Sequence, residues 1–221
     1  QEDIKEMIKK IYKIDLSKEF ISTLISSVND EVKKWQQRKL QKVYPFVYID
    51  CLYVPIREDL ISEKTAIYVI LGIGLDGKKE VLGVWIDGTE SPTYWITILD
   101  DIKKRGVEDI FVISLDGLKG LPEAINVVYP HTNTQRCVVH IVRNIYKVCN
   151  KKEVKEIIND FKKIYTSPSL EAAKLEYQNF IEKYKNNNVV IKKVNDNINH
   201  IFDLYDYPQE IRKVIYTTNP I

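Results

Sequence analysis

One stretch constrains this chain more than any other: Tyr44-Pro-Phe-Val-Tyr-Ile-Asp-Cys-Leu-Tyr53. It is almost wholly apolar and aromatic, which is how a strand buried on both faces reads. A single carboxylate, Asp50, stands inside it. An ionised carboxylate in such a place costs several kcal/mol unless something compensates it. Two readings are open. Asp50 caps a turn at a strand end, or it is matched by a partner charge or a metal ion.

The neighbouring sequence sets the context of that strand. A second strand is expected over residues 65–75, then the hairpin signal Asp76-Gly77, then a third strand over 79–86. Ser91-Pro92 is a cap and first-turn pair for a helix over 93–105, which Gly106 stops. The apolar run at 109–115 reads as a fourth strand and ends at Asp116-Gly117. A short helix, a fifth strand over about 134–139 and a helix over 140–148 follow. Strand four is reached through a helix and should lie parallel to strand one. The fold expected is α/β: an RNase H-like mixed five-stranded sheet with helices on both faces. In that arrangement Asp50 and Asp116 lie on adjacent parallel strands about 4.8 Å apart, where two carboxylates can share a metal ion.

Helical periodicity dominates both ends of the chain. Ile4, Met7, Ile8 and Ile11 are helically spaced, and Ser17 caps a second helix with Phe20, Ile21, Leu24, Ile25 and Val28 on its apolar face. The pair reads as a helix-turn-helix remnant or as a plain helical hairpin. Lys18 and Ser22, on its polar face, suit contacts with phosphates and bases. A third, basic helix carrying Arg38 is expected over 30–42; it reads as a solvated linker face or as a further DNA contact. Residues 151–216 return to helical spacing, broken at Ser167-Pro-Ser169. The expected division is therefore 1–42, a helical DNA-binding remnant and linker helix; 43–150, the RNase H-like core; and 151–221, an α-helical insertion.

The 221 residues carry a net charge of only +2, which neither demands nor excludes nucleic acid. No apolar run approaches the ~18 residues of a membrane span. Three sparse cysteines suit a reducing cytoplasm rather than a disulfide scaffold. Cys137 and His140 form half of a zinc-like spacing, but no second pair matches them. His140 is read either as a helix cap or as a group that reaches a scissile phosphate or orients a metal-bound water. Arg136 and Arg143 flank it and suit phosphate contacts.

Longer motifs carry more. Ile11-Tyr-Lys-Ile-Asp-Leu-Ser-Lys18, Val32-Lys-Lys-Trp-Gln-Gln-Arg-Lys-Leu40, the Asp50 strand, Leu82-Gly-Val-Trp85 and Glu90-Ser91 run from the N-terminal region into the sheet. Asp116-Gly-Leu-Lys-Gly-Leu-Pro-Glu-Ala-Ile125, Gln135-Arg-Cys-Val-Val-His-Ile-Val-Arg-Asn144 and Tyr216-Thr-Thr-Asn-Pro-Ile221 continue to the last residue. Together they resemble the mutator-type bacterial insertion-sequence transposases, whose catalytic domain is RNase H-like with an Asp-Asp-Glu triad. The resemblance implies that Asp50 and Asp116 are the first two triad members and bind Mg²⁺ or Mn²⁺, with His140 beside them. It implies double-stranded DNA, both transposon ends and target, as partner, a homo-oligomer on that DNA, no membrane, and a cytoplasmic, nucleoid-associated location. The family's glutamate follows directly after the Thr-Thr-Asn-x-Ile run, where this chain stops. A DNA transposase fragment lacking its third carboxylate, and therefore inactive by itself, is the expectation. Glu90 and Glu210 are conceivable substitutes. The alternatives are a non-catalytic DNA-binding module derived from a transposase, and another RNase H-like nuclease.

Overall fold

A computed structural model describes residues 6–7, 9–11, 13–14, 17–58, 61–87 and 91–217. It divides into two compact units, Gln1–Leu40 and Gln41–Ile221. In the first unit, helix α1 (Lys18–Gln36) is capped by Ser17, whose Oγ accepts the Phe20 N–H at 3.1 Å. The helix does not break near Asp30, so no separate linker helix reaches residue 42; residues 37–42 are non-helical. Asn29 and Asp30 are mediocre helix formers, but neither interrupts a helix as Gly or Pro does. Residues 6–7 and 9–11 are helical too; the remainder of the first helix of the expected pair lies outside the described residues.

The second unit is built on five strands: β1 (Val43–Glu58), β2 (Ile61–Ile73), β3 (Lys79–Asp87), β4 (Asp109–Leu115) and β5 (Asn133–Arg136). Their order across the sheet is β3-β2-β1-β4-β5. The β1–β2 and β2–β3 pairs are antiparallel, and β1–β4 and β4–β5 are parallel. That is the RNase H-like mixed sheet. Gly77, at φ 75°, makes the β2–β3 turn in the left-handed region that glycine enters at no steric cost. β1 and β2 are longer than their sequences suggested. Their pairing continues past Asp50 to Glu58 and Ile61, whereas β4 pairs with β1 only as far as Ile49.

Helices cover both faces. On one lie α2 (Pro92–Lys104) and α3 (Leu121–Val128). Ser91 caps α2 by accepting the Tyr94 N–H at 3.2 Å. Fully buried Trp95 of α2 meets Tyr68 of β2 edge-on, with ring centroids 4.8 Å apart. Successive side chains along β1 point to opposite faces. Phe46 and Tyr48, which share the face of Asp50, therefore look the other way, toward α4 (Val138–Tyr146) and the helices after it.

Those helices are α5 (Val154–Thr166), α6 (Leu170–Lys183), α7 (Asn188–Asn195), α8 (Ile198–Phe202) and α9 (Gln209–Thr217). Their apolar faces share one core with Val138, Ile141 and Ile145 of α4. Phe161 of α5 is fully buried there, edge-on to Tyr165 and Phe180 at 5.8 and 6.3 Å. The polar faces of α5 and α6 are joined through Asp160. Burial pushes its pKa up, but hydrogen bonds from Lys163, Lys183 and Tyr184 outweigh that and hold it at about 2. Two long-range contacts fix α9. Buried Arg212 donates to the carbonyls of Ser167 and Pro168, both at 3.0 Å, and lies over the Tyr205 ring. The Tyr48 hydroxyl donates to the Val214 carbonyl at 3.2 Å, tying α9 to β1 two residues before Asp50.

Candidate active site

Strands β4 and β5 end level with one another while β1 runs on, and the site forms beside β1 where those two stop. Ile49 of β1 pairs with Leu115 of β4, and Leu115 pairs with Arg136 of β5. Asp50 and Asp116, each one residue further on, are therefore side by side. β4 has ended at this height, and the Cys51 N–H donates instead to Asp50 Oδ1 at 2.9 Å. That bond fixes the carboxylate within the strand's own backbone.

The chain after β5 then turns back over the two acids. The Cys137 N–H donates to the Leu115 carbonyl at 2.9 Å and Cys137 caps α4, so the helix starts against the end of β4. This revises the reading of residues 134–139 as one strand: the strand stops at Arg136 and the helix has begun by Val138. Amphipathicity sets the rotation of α4. With Val138, Ile141 and Ile145 buried, His140 in the first turn is directed at the carboxylates. His140 Nε2 lies 3.7 Å from Asp50 Oδ1 and 3.7 Å from Asp116 Oδ2. One donor atom from each of the three residues lies within 4.8 Å of the others. Among the described residues this is the one such grouping of His, Cys, Asp or Glu side chains.

The imidazole's own environment is polarised. The Cys137 thiol beside it raises the His140 pKa above its ordinary value; burial opposes this, and the charges of Asp116 and Asp50 add to the rise. Burial alone would push the Cys137 thiol up, but His140 more than offsets it and the net shift is downward. His140 Nδ1 is buried without a hydrogen-bond partner among the described residues.

Arg136 and Arg143 belong to the same unit as this centre. Arg136 ends β5, and its guanidinium lies over Gly117: a Cβ built there would come within 2.7 Å of Nη2. Arg143 is exposed one turn along α4 from His140. Lys18, Ser22 and Arg38 belong to the first unit. Ser22 is exposed on α1, and Lys18 opens that helix. Arg38 stacks on the Trp35 ring at 4.7 Å and donates to the Trp35 carbonyl at 2.9 Å, closing the helix end. Glu210 is exposed in the first turn of α9 and is not part of the acidic grouping. Glu90 and the run 218–221 lie outside the described residues.

Gly117 was not singled out from the sequence. It follows Asp116 with φ 40°, a left-handed conformation, and lacks the side chain that would displace Arg136. The Asp-Gly pair was its only signal. Gly117→Ala should cost about 1–2 kcal/mol for the left-handed backbone alone and push the Arg136 guanidinium off the loop. Thermal unfolding checks the first effect.

The family model described as Transposase, Mutator family, matches residues 1–221. The transposase for insertion sequence element ISRM3 of Rhizobium meliloti (strain 1021) is 34% identical over 221 residues, covering 99% of this chain and 55% of the relative. A probable insertion-sequence transposase of Corynebacterium diphtheriae is 32% identical over 224 residues, covering 99% of this chain and 64% of the relative. Among solved structures, the Drosophila P element transposase strand transfer complex aligns with a TM-score of 0.40 and 11% identity, over 60% of this chain and 37% of that one. The chain thus spans little more than half the length of the curated relatives it matches. On the whole-length match of the family model, this chain belongs to the Mutator family of transposases.

Proposed function

We propose that these residues are the core of a transposase that cuts and joins double-stranded DNA, at transposon ends and target, with Mg²⁺ or Mn²⁺ held by Asp50 and Asp116. The observation that carries the proposal is the pair of carboxylates set level by the parallel β1–β4 register, with an imidazole equidistant from both. Donors of this kind fit a divalent ion: two carboxylate oxygens, one of them steadied by a backbone N–H. Bound there, divalent ions activate a hydroxyl nucleophile and stabilise the leaving oxygen of a phosphodiester.

The chain's own groups do the rest. Asp50 and Asp116 supply the negative charge that gathers the ions. Arg136, lying over Gly117, and Arg143, on the exposed side of α4, hold phosphates on either side of the carboxylates. Ser22 and Lys18 of α1 add contacts from the first unit. The helices from α5 onward serve transposon ends or a second copy of the protein, which acts as a homo-oligomer on DNA. On the family's pattern the third carboxylate stands directly after Thr217-Thr-Asn-Pro-Ile221, so a polypeptide of these residues alone binds metal but does not cleave. Among the described residues no helix is long and apolar enough to cross a membrane, and the proposed place of action is the nucleoid in the bacterial cytoplasm.

Calorimetric titration of Mn²⁺ into the 221-residue chain tests the metal assignment. The wild type should bind the ion, and Asp50→Ala and Asp116→Ala should each abolish the heat. Equal binding by wild type and either variant defeats it.

A further inference from the structure

We propose that His140 is itself a ligand of the divalent ion and makes the site favour transition ions such as Mn²⁺ over Mg²⁺. This rests on reading Asp50 and Asp116 as metal carboxylates and names the third donor of that same site. The geometry points to it. His140 Nε2 stands 3.7 Å from an oxygen of each acid. A hydrogen bond to a carboxylate would bring it to about 2.7–2.9 Å of one of them. The ring is thus committed to neither acid and aimed between them.

That spacing suits an ion. Bonds of about 2.1 Å at right angles place neighbouring donors about 3 Å apart. The two His140 distances of 3.7 Å would have to shorten by about 0.7 Å to enclose one. Each is already fixed from outside the site. Asp50 Oδ1 accepts the Cys51 N–H. Asp116 precedes the left-handed Gly117. His140 rides on a helix whose buried face is locked into the helical core. The three side chains are only 16 to 37% exposed, so the ion would be enclosed on the protein side and open to substrate on the other.

The donor set decides the preference. Oxygen donors suit Mg²⁺, Ca²⁺ and Mn²⁺ alike, but Mn²⁺, unlike Mg²⁺, also stands at the foot of the first-row series whose later members are the usual partners of imidazole nitrogen. A carboxylate–carboxylate–imidazole face therefore separates Mn²⁺ from Mg²⁺ in a way that two carboxylates cannot.

The test uses the 221-residue chain and the metals alone. Mn²⁺ and Mg²⁺ are titrated calorimetrically into wild type, His140→Ala, His140→Asn and Asp50→Ala, and pulsed electron paramagnetic resonance reads ¹⁴N coupling to bound Mn²⁺. The wild type should show imidazole ¹⁴N coupling, absent in both His140 variants. Those variants should weaken Mn²⁺ binding by about tenfold or more while changing Mg²⁺ binding by less than about threefold, as loss of a borderline nitrogen donor requires. Thermal unfolding confirms that they fold. No ¹⁴N coupling in the wild type, or equal weakening for both ions, overturns the proposal while leaving the carboxylate site intact. Unchanged Mn²⁺ binding by Asp50→Ala overturns the site reading and this inference together.

Discussion

Asp50→Asn in the full-length protein is expected to reduce excision of its element by about 10³-fold or more. A metal site contributes several kcal/mol of charge stabilisation to the transition state, and each ~1.4 kcal/mol is a factor of ten in rate. Asparagine is the informative replacement because it keeps the shape of the side chain and an oxygen able to accept the Cys51 N–H, the bond that holds Asp50 in place. Only the charge is removed. The strand stays paired on the β2 side and the fold should melt at nearly the wild-type temperature. A donor-plasmid excision assay, run with Asp116→Asn in parallel, reads the effect. Excision within tenfold of wild type for either variant would remove that carboxylate from the proposed chemistry. The double variant should be little worse than either single one, because residues that hold one ion act as a unit.

Phe161→Ala is expected to destabilise the second unit by about 3–5 kcal/mol, the range for emptying an aromatic site in a close-packed core. Its ring is fully buried between α5 and α6 and touches Tyr165 and Phe180 edge-on. Against a total stability of about 5–15 kcal/mol for a domain, the loss is large. Urea unfolding measures it, and two probes ask how far it spreads. The three tryptophans, Trp35, Trp85 and Trp95, all precede the helical segment, whereas far-ultraviolet dichroism reports the helices. The core of that segment includes the buried face of α4, which starts against the end of β4. Trp85 and Trp95 fluorescence should therefore fall with the dichroism in one transition. Two separated transitions would show that residues 151–217 melt by themselves.

The elements governed by local chemistry were legible in the sequence. Ser17 and Ser91 each cap the helix expected of them, because a hydroxyl before a helical run has one favourable use. The level placement of Asp50 and Asp116 followed from counting strands, since a parallel neighbour reached through a helix leaves little freedom. What was obscure depended on partners distant in sequence. Nothing around residues 54–64 announces that β1 and β2 continue as a pair beyond the point where β4 stops. Residues 137–139 are β-branched or small and read as strand, but the buried face of α4 is claimed by residues as far along as Ile215, and the helix wins. His140 was suspected for its neighbours in sequence. Its place between the two acids came from the rotation of α4, which only that later core determines.

The same dependence gives the site an order of assembly in time. A ribosome delivers the chain from its N-terminal end, and domains form as units when their residues become available. The β1–β4 pairing that sets the two carboxylates side by side needs nothing past Leu115. The helical core that orients His140 draws on Phe161, Phe180, Val194 and, at the far end, Ile215. For the synthesis of about a hundred further residues, the nascent protein carries paired acids with no imidazole directed at them. The three groups come together only in a chain that has grown past Ile215.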